Sequence, residues 1–206
     1  MRSYKLHLIR HGATDANKEG RYIGGKTDLP LSQEGKREVK NLYEDFVYPR
    51  VPLVFSSPME RCVQTAKILF PAREITTIEN LREYNFGDFE NKTATELDGR
   101  PDYAAWAAGK MPSPPNGESS KDFVARTVLG INEIIRIMME KQEYEASVVM
   151  HGGAIMMLLA ACGLPRQAPA MWTSDNGKGY TILITPSLYQ KTGAFEVVNL
   201  VPGDVE

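Results

Sequence analysis

The residues best suited to chemistry in this sequence are Arg10 and His11, which directly follow an apolar run and precede a glycine. A cation beside an imidazole at the end of a strand favours an anion site that contains a nucleophile or an acid/base group. His151 stands in the same context, between an apolar run and a glycine. Two of the three histidines in the chain therefore share one pattern. His7 lies inside its apolar run, and we interpret it as structural.

Two further charged residues are candidates for the same site. Arg61 falls in the first turn of a predicted helix, where a cation opposes the helix dipole unless an anion lies between them. An ordinary surface arginine is the alternative. Glu83 lies in a segment of mixed aromatic and acidic residues that suits a loop at the mouth of a site. A salt bridge to the neighbouring Arg82 is the alternative for this carboxylate.

The elements that must position these residues alternate along the chain. Strands are predicted at 5–10, 53–55, 74–78, 146–150, 180–185 and 195–200. Helices are predicted after the cap Ser32, from Pro58 with Ser57 as its cap, over 94–109 with a break at 99–101, over 119–141 and over 154–162. The last two strands are expected to be joined by a loop that holds Pro186, Ser187 and Gly193. This alternation predicts one three-layer α/β domain over residues 1–206, with a mostly parallel sheet.

Right-handed crossovers bring the carboxyl ends of parallel strands to one edge of the sheet, so the candidate side chains can meet there. Two arginines and two imidazoles suit a multiply charged anion with fork-like recognition, and phosphate satisfies this requirement. Gly152 and Gly153 precede a predicted helix and would offer backbone N–H groups to the same anion. The long polar segment from Thr14 to Leu31 is expected to be a functional loop.

Composition excludes several other classes of protein. The chain has 206 residues, 42% of them hydrophobic, and a formal net charge of −2, which argues against a nucleic-acid-binding surface. No apolar run approaches the length of a membrane span or of a signal peptide, so no membrane partner is expected. Two cysteines, Cys62 and Cys162, suggest buried reduced thiols and a cytosolic protein. No cluster of ligands has metal-binding spacing, so neither a metal nor a cofactor is expected.

Several ordered motifs resemble the histidine phosphatase superfamily, also called the phosphoglycerate mutase-like family. They are Leu8 to Thr14 with Asn17, Thr27 to Ser32, Phe55 to Pro58 with Arg61, Leu81 to Glu83, Gly117 to Ser119, and His151 to Gly153. The resemblance covers roughly residues 4–159 and implies the phosphoglycerate mutase-like fold.

The resemblance also implies a role for each matching residue. His11 would be the nucleophile that becomes a phosphohistidine, and Glu83 would be the general acid and base. Arg10, Arg61 and His151 would hold the phosphoryl oxygens. Substrate binding would involve Thr14, Asn17, Ile23, Gly24 and Gly152. The expected partner is a small phosphate ester, and the expected activity is that of a metal-independent phosphomonoesterase.

The segment 92–117 is predicted to be a small lid insertion, and it bears on substrate choice. Mutase members of the family carry an Arg-Arg pair there, whereas this segment has only Lys92, Arg100 and Lys110 as cations. Weak binding of a second anion favours hydrolysis over mutase activity. Asn91 also stands where many relatives carry a glycine, which is expected to alter the rim.

Three functions remain as alternatives from sequence. The favoured one is a phosphatase for a small metabolite, of which alpha-ribazole phosphate is one example within the family. The second is a phosphoglycerate mutase, and the third is a non-catalytic phosphate-binding protein. A homodimer is compatible with an exposed edge at the C-terminal strand pair.

Overall fold

The computed structural model describes residues 2–203. Within them, seven strands form one sheet: β1 (Tyr4–Arg10), β2 (Leu53–Ser56), β3 (Ile75–Thr77), β4 (Glu145–Met150), β5 (Gly163–Leu164), β6 (Gly179–Ile184) and β7 (Phe195–Val201). Their order across the sheet is β3-β2-β4-β1-β6-β7-β5. Strands β1 to β4 are mutually parallel, whereas β6 is antiparallel to both β1 and β7. The predicted mostly parallel sheet is confirmed.

Eight α-helices occur in the described residues: α1 (Asp15–Lys18), α2 (Gln33–Asp45), α3 (Glu60–Leu69), α4 (Ala94–Leu97), α5 (Pro101–Ala107), α6 (Ser120–Lys141), α7 (Gly152–Cys162) and α8 (Pro186–Thr192). Helices α6 and α7 bury apolar side chains against one face of the sheet. Helices α2 and α3 cover part of the other face. Alternate residues of the central strands supply the two cores; Leu8 packs with the first cluster and Ile9 with the second. The three-layer prediction is confirmed.

The register of the central strands aligns their carboxyl ends. Arg10 at the end of β1 pairs with Met150 at the end of β4, and Ser56 at the end of β2 pairs with Val149. The next residue of each strand therefore leaves the sheet at the same edge. The backbone N–H groups of His11 and Ser57 continue this pattern by donating to β4 carbonyls at 2.9 Å. This alignment is what brings distant parts of the sequence to one place.

The predicted start of α3 is wrong. The cap is Met59, which has no side-chain capping bond, and the helix begins at Glu60 rather than at Pro58. The Ser57 hydroxyl instead lies 2.8 Å from the His151 ring. A serine before a proline has the signature of a helix cap, but here a partner 94 positions away determines its role.

The predicted loop after β6 is also wrong, because Pro186 begins α8 and Gly193 follows its end. Gly193 has a φ of 67°, the left-handed conformation in which helices commonly end at glycine. Helix α7 likewise begins at Gly152, two residues earlier than predicted. Both glycines after His151 therefore belong to the first turn of α7.

The segment 92–117 contains the two predicted short helices, α4 and α5, on either side of Gly99. It packs against the loop after β1 through five aromatic rings whose centroids lie 5.0–6.2 Å from a neighbour; they are Tyr22, Phe86, Phe89, Tyr103 and Trp106. Arg100 forms two hydrogen bonds to Asp102, at 2.6 and 3.0 Å. The single arginine of this segment is therefore engaged by a carboxylate.

Asn91 has a backbone conformation that suits glycine, the residue that the family resemblance implies at this position. Its φ is 59°, in the left-handed region where glycine is unstrained and asparagine is the best-tolerated substitute. The Asn91 N–H donates to the Tyr22 carbonyl at 2.8 Å. The substitution thus keeps the turn, and it adds a polar side chain.

The structure answers several smaller expectations. His7 bonds to Thr181 and Glu145 within the sheet, at 2.9 and 3.0 Å, which supports a structural role. Both cysteines are free; Cys62 is buried, whereas Cys162 is only half-buried. Between residues 2 and 203, none of the helices combines the length and the apolar character needed to cross a bilayer.

Candidate active site

His11 lies at the centre of the site, directly after β1, with 5% of its surface exposed. Its Nδ1 atom is 2.6 Å from the Gly12 carbonyl oxygen. Because a carbonyl only accepts, Nδ1 carries the proton and the Nε2 lone pair is free. Burial, followed by the nearby charge of Arg61, lowers the pKa of His11 to about 3. The geometry therefore supplies a neutral imidazole with one nitrogen available for attack.

His151 follows β4 and is fully buried beside His11. The two ring centroids are 5.2 Å apart, with an angle of 68° between the planes. The His151 Nε2 atom lies 2.8 Å from the Ser57 hydroxyl. Burial, and next the charge of Arg61, lowers the pKa of His151. This second imidazole is therefore also neutral, and Ser57 fixes its orientation.

Two arginines supply positive charge around the imidazoles. Arg61, in the first turn of α3, is 1% exposed and donates to the carbonyls of Thr27 and Gly24, at 3.1 and 3.3 Å. Arg10 donates to the Ser174 carbonyl at 2.6 Å. The Nε atoms of Arg10 and Arg61 are buried without a hydrogen-bond partner. Each guanidinium thus keeps a donor unused, as an anion site requires.

Arg61 is a buried cation whose hydrogen bonds go only to carbonyl oxygens among residues 2–203. Burial raises the pKa of the nearby Glu83 carboxyl and the charge of Arg61 partly opposes this effect, but the two groups form no direct salt bridge. A buried charge without a counter-ion in direct contact is costly. The cation at the helix start is therefore neither a surface arginine nor half of a salt bridge. A bound phosphate would supply the missing negative charge.

Glu83 is 8% exposed and accepts only backbone hydrogen bonds, from Tyr84 N at 2.8 Å and from Gly153 N at 3.2 Å. Burial raises the pKa of its carboxyl, against the lowering effect of these two bonds. The alternative salt bridge is wrong, because Arg82 pairs with Glu79 instead. A carboxyl with a raised pKa suits proton donation near neutral pH.

The five residues predicted to bind substrate differ in their contacts with the other residues of the site. Gly24 gives its carbonyl to Arg61, and a Cβ on Gly152 would lie 3.0 Å from Arg10 Nε. Ile23 is buried. Thr14 and Asn17 form the capping box of α1, where the Asn17 side-chain oxygen accepts from Thr14 at 3.0 and 3.1 Å. The Asn17 amide oxygen is therefore already used within the loop.

Three residues that support the site were given no role in it by the sequence analysis. Thr65 accepts from Gly12 N at 2.9 Å and donates to the Arg61 carbonyl at 2.7 Å, which ties α3 to the turn after β1. Asn176 donates to the His11 carbonyl at 2.7 Å. The Asn176 contact follows from the pairing of β6 with β1, and local sequence carries no sign of that pairing.

Glu90 is the third supporting residue, and it organises the loop that holds Arg61. Its carboxylate accepts from Gly24 N at 3.1 Å, Lys26 N at 3.3 Å and the Thr27 hydroxyl at 2.5 Å. The carbonyls of Gly24 and Thr27 are the acceptors of Arg61. A single carboxylate therefore sets the two carbonyls that position a buried cation. The acidic side chain was visible in the sequence, but its partners were not.

Fold and site together define the class of protein. The sequence matches the family described as "Histidine phosphatase superfamily (branch 1)" over residues 6–192. The chain belongs to this superfamily. The matched range includes the three strand ends and the segment around Glu83 that carry the site.

The chain is also similar to individual phosphatases and to a phosphoglycerate mutase. The chain is 33% identical, over 95% of both sequences, to the adenosylcobalamin/alpha-ribazole phosphatase of Escherichia coli K12. The crystal structure of the alpha-ribazole phosphatase from Shigella flexneri superposes with a TM-score of 0.78 at 27% identity and covers 98% of this chain and 99% of its own. A phosphoglycerate mutase from Bacillus anthracis has a TM-score of 0.75 at 22% identity, covering 96% and 92% of the two chains, and it shares the fold. The family and its phosphatase members support an enzyme with phosphomonoesterase activity.

Proposed function

We propose that this chain hydrolyses the phosphomonoester of a small metabolite through a phosphohistidine on His11. The observation that carries the proposal is the free Nε2 of a neutral, buried His11, held by the bond from its Nδ1 to the Gly12 carbonyl. Two guanidinium groups whose Nε donors are buried and unused stand beside it. The phosphoryl group is thereby offered a nucleophile and positive charge at one place.

The first step forms a bond from His11 Nε2 to phosphorus and breaks the ester P–O bond. Glu83 gives its proton to the departing alkoxide, for which its buried carboxyl is suited. Arg10, Arg61 and His151 hold the phosphoryl oxygens. In the second step water attacks the phosphorus, Glu83 takes a proton from it, and the P–N bond breaks to release phosphate. No metal ion or cofactor takes part in this scheme.

The substrate class is proposed from the relatives and from the rim. Relatives named as alpha-ribazole phosphatases make an alpha-ribazole phosphate-like ester the first candidate. In the rim segment 92–117, the charge of Arg100 is neutralised by Asp102, so Lys92 and Lys110 are its remaining cations. The segment thus lacks an arginine pair for a second phosphate, which favours hydrolysis over mutase activity.

Phosphate release and mutase activity are separated by two assays on the same preparation. We expect the protein to release phosphate from p-nitrophenyl phosphate and from a member of a panel that includes alpha-ribazole 5′-phosphate. With 3-phosphoglycerate and catalytic 2,3-bisphosphoglycerate, we expect no 2-phosphoglycerate. Interconversion faster than phosphate release would replace the phosphatase with a mutase. Neither activity would favour a non-catalytic phosphate-binding protein.

The pH dependence follows from the two shifted groups. His11 with a pKa of about 3 stays neutral, and hence nucleophilic, at any pH above that value. Glu83 must be protonated in the first step, and its raised pKa keeps it protonated to a higher pH than an ordinary carboxyl. We therefore expect kcat/KM for an alkyl phosphate to fall as the pH rises through the Glu83 pKa. The decline should be absent in Glu83→Gln; an unchanged decline would remove Glu83 from the acid role.

Several wider features also remain proposals. We infer that residues 92–117 form a lid subregion of one domain, supported by their aromatic packing against Tyr22.

A cytosolic location is supported by two free cysteines. A homodimer through the part of β7 that extends beyond its pairing with β5 is supported by the exposure of Leu200, at 71%. The formal charge of −2 continues to argue against a nucleic-acid partner.

A further inference from the structure

Arg126, on α6, forms hydrogen bonds to the backbone of the segment that carries Glu83. Its guanidinium has five N–H protons, and each has an acceptor in this structure. NH1 donates to the carbonyls of Asn80 and Arg82, both at 2.9 Å. NH2 donates to the Glu83 carbonyl at 3.3 Å and to Glu118 at 2.9 Å, and Nε donates to Glu118 at 2.9 Å. Three backbone carbonyls of one short segment thus converge on a single side chain.

Glu118 extends this contact to the other side of Glu83. Its Oε2 accepts from Asn85 N at 3.3 Å, and its own N–H donates to the Asn85 carbonyl at 3.0 Å. The Arg126–Glu118 pair therefore grips the chain both before and after the carboxyl. Its side chains are only 24% and 13% exposed, and such partly buried bidentate pairs are more rigid than surface ion pairs.

The Glu83 carboxylate has no side-chain partner of its own in the described residues. It is held by Tyr84 N and Gly153 N, so its place depends on where the backbone runs. Gly153 leaves no room for a larger side chain, because a Cβ there would lie 2.8 Å from Glu83 Oε1. A small shift of the 80–85 backbone would thus move the carboxyl away from the ester oxygen.

We propose that Arg126, with Glu118, is a positioning residue that sets the Glu83 carboxyl for proton transfer to the leaving group. The proposal rests on the proposed function of Glu83 as general acid. Arg126 acts through the backbone and touches neither the carboxyl nor the phosphate. Lysine cannot replace it, because one ammonium cannot reach three carbonyls and a carboxylate in a planar fork.

The test uses leaving groups that need the acid to different degrees. For Arg126→Lys, kcat/KM is measured with p-nitrophenyl phosphate, phenyl phosphate and benzyl phosphate. A weakly basic leaving group departs without protonation, whereas an alkoxide requires it. We expect a loss of about tenfold or more for benzyl phosphate, a part of the ~10²–10⁴ available to general acid catalysis, and less than about threefold for p-nitrophenyl phosphate. Since kcat/KM covers the steps from free enzyme and substrate through the first irreversible step, the later dephosphorylation does not affect the comparison.

The controls separate positioning from a general loss of structure. Arg136→Lys, on the exposed side of the same helix and paired with Glu140, should leave all three rates unchanged. Glu118→Gln should give the pattern of Arg126→Lys in weaker form. An equal loss for all three esters, or no loss, in a folded Arg126→Lys protein would overturn the proposal; the thermal midpoint and circular dichroism establish folding.

The same assay distinguishes failure of the positioning role of Arg126 from failure of the general-acid role of Glu83, on which it rests. Glu83→Gln should show the steepest dependence on the leaving group. If it does and Arg126→Lys does not, the positioning role is wrong and the acid role stands. If Glu83→Gln shows no such dependence, Glu83 is not the acid, and the positioning role is overturned with it.

Discussion

Replacing His11 with alanine should reduce kcat for an aryl phosphate by about 10³-fold or more, as expected when a covalent nucleophile is removed. The imidazole sits 5% exposed at the end of β1, with its Nε2 lone pair free because Nδ1 donates to Gly12. No other described side chain offers the same combination, since the neighbouring His151 is engaged by Ser57. Rapid acid-free quenching during turnover should trap a phosphoryl group on His11 and none in the variant.

The matched control is His7→Gln. His7 is as buried as His11, at 5%, and lies in β1, which His11 directly follows, but its partners are Thr181 and Glu145. We expect this variant to lower stability and to keep the phosphate-release rate. Wild-type turnover in His11→Ala, or a phosphoryl label found on His151, would contradict the assignment of the nucleophile.

Replacing Arg61 with methionine should lower kcat/KM by about 10²–10³-fold, the usual effect of removing one preorganised group that stabilises transition-state charge. Arg61 is 1% exposed and has an unused Nε donor. Methionine fills a similar volume without the charge. The loss should be similar for good and poor leaving groups, because the charge of the phosphoryl group changes little between them. This response differs from the one expected of Arg126→Lys.

Phosphate binding provides a second readout for Arg61. Inorganic phosphate that binds only the folded state stabilises it by about 2.7 kcal/mol at one hundred times Kd, and this should raise the melting temperature of the wild-type protein. We expect little increase in Arg61→Met. Arg37→Met is the control, because Arg37 is exposed on α2 and pairs with Glu34. A phosphate-dependent increase equal to that of the wild type in Arg61→Met would show that Arg61 is not part of the anion site.

The parts of the site that lie at the ends of buried strands could be predicted from the sequence. Arg10, His11 and His151 come at the ends of apolar runs. Polar residues in that position lie at the carboxyl edge of the sheet, where ligands bind in open α/β folds. Glu83 was suggested by its loop and assigned by resemblance. The structure brings all of these together because three strand ends are in register.

The parts that could not be predicted depend on long-range partners. Ser57 resembles a helix cap, and only its contact with His151 reveals another role. Arg126 stands in a largely apolar stretch of helix α6, and three of its five hydrogen bonds reach a loop more than forty positions earlier. The missed helix α8 is different, because proline at its start and glycine after its end are local signals that were present in the sequence.

The pairing of β1 with β4 has a consequence for how the protein acquires activity. It joins residues 5–10 to residues 145–150, and it is the longest-range parallel contact among the strands that carry the site. Contacts between such distant residues are entropically costly to close and form late in folding. The two imidazoles are therefore brought together only in chains in which β1 and β4 have paired. We accordingly expect recovery of phosphate release during refolding to follow the formation of this pairing.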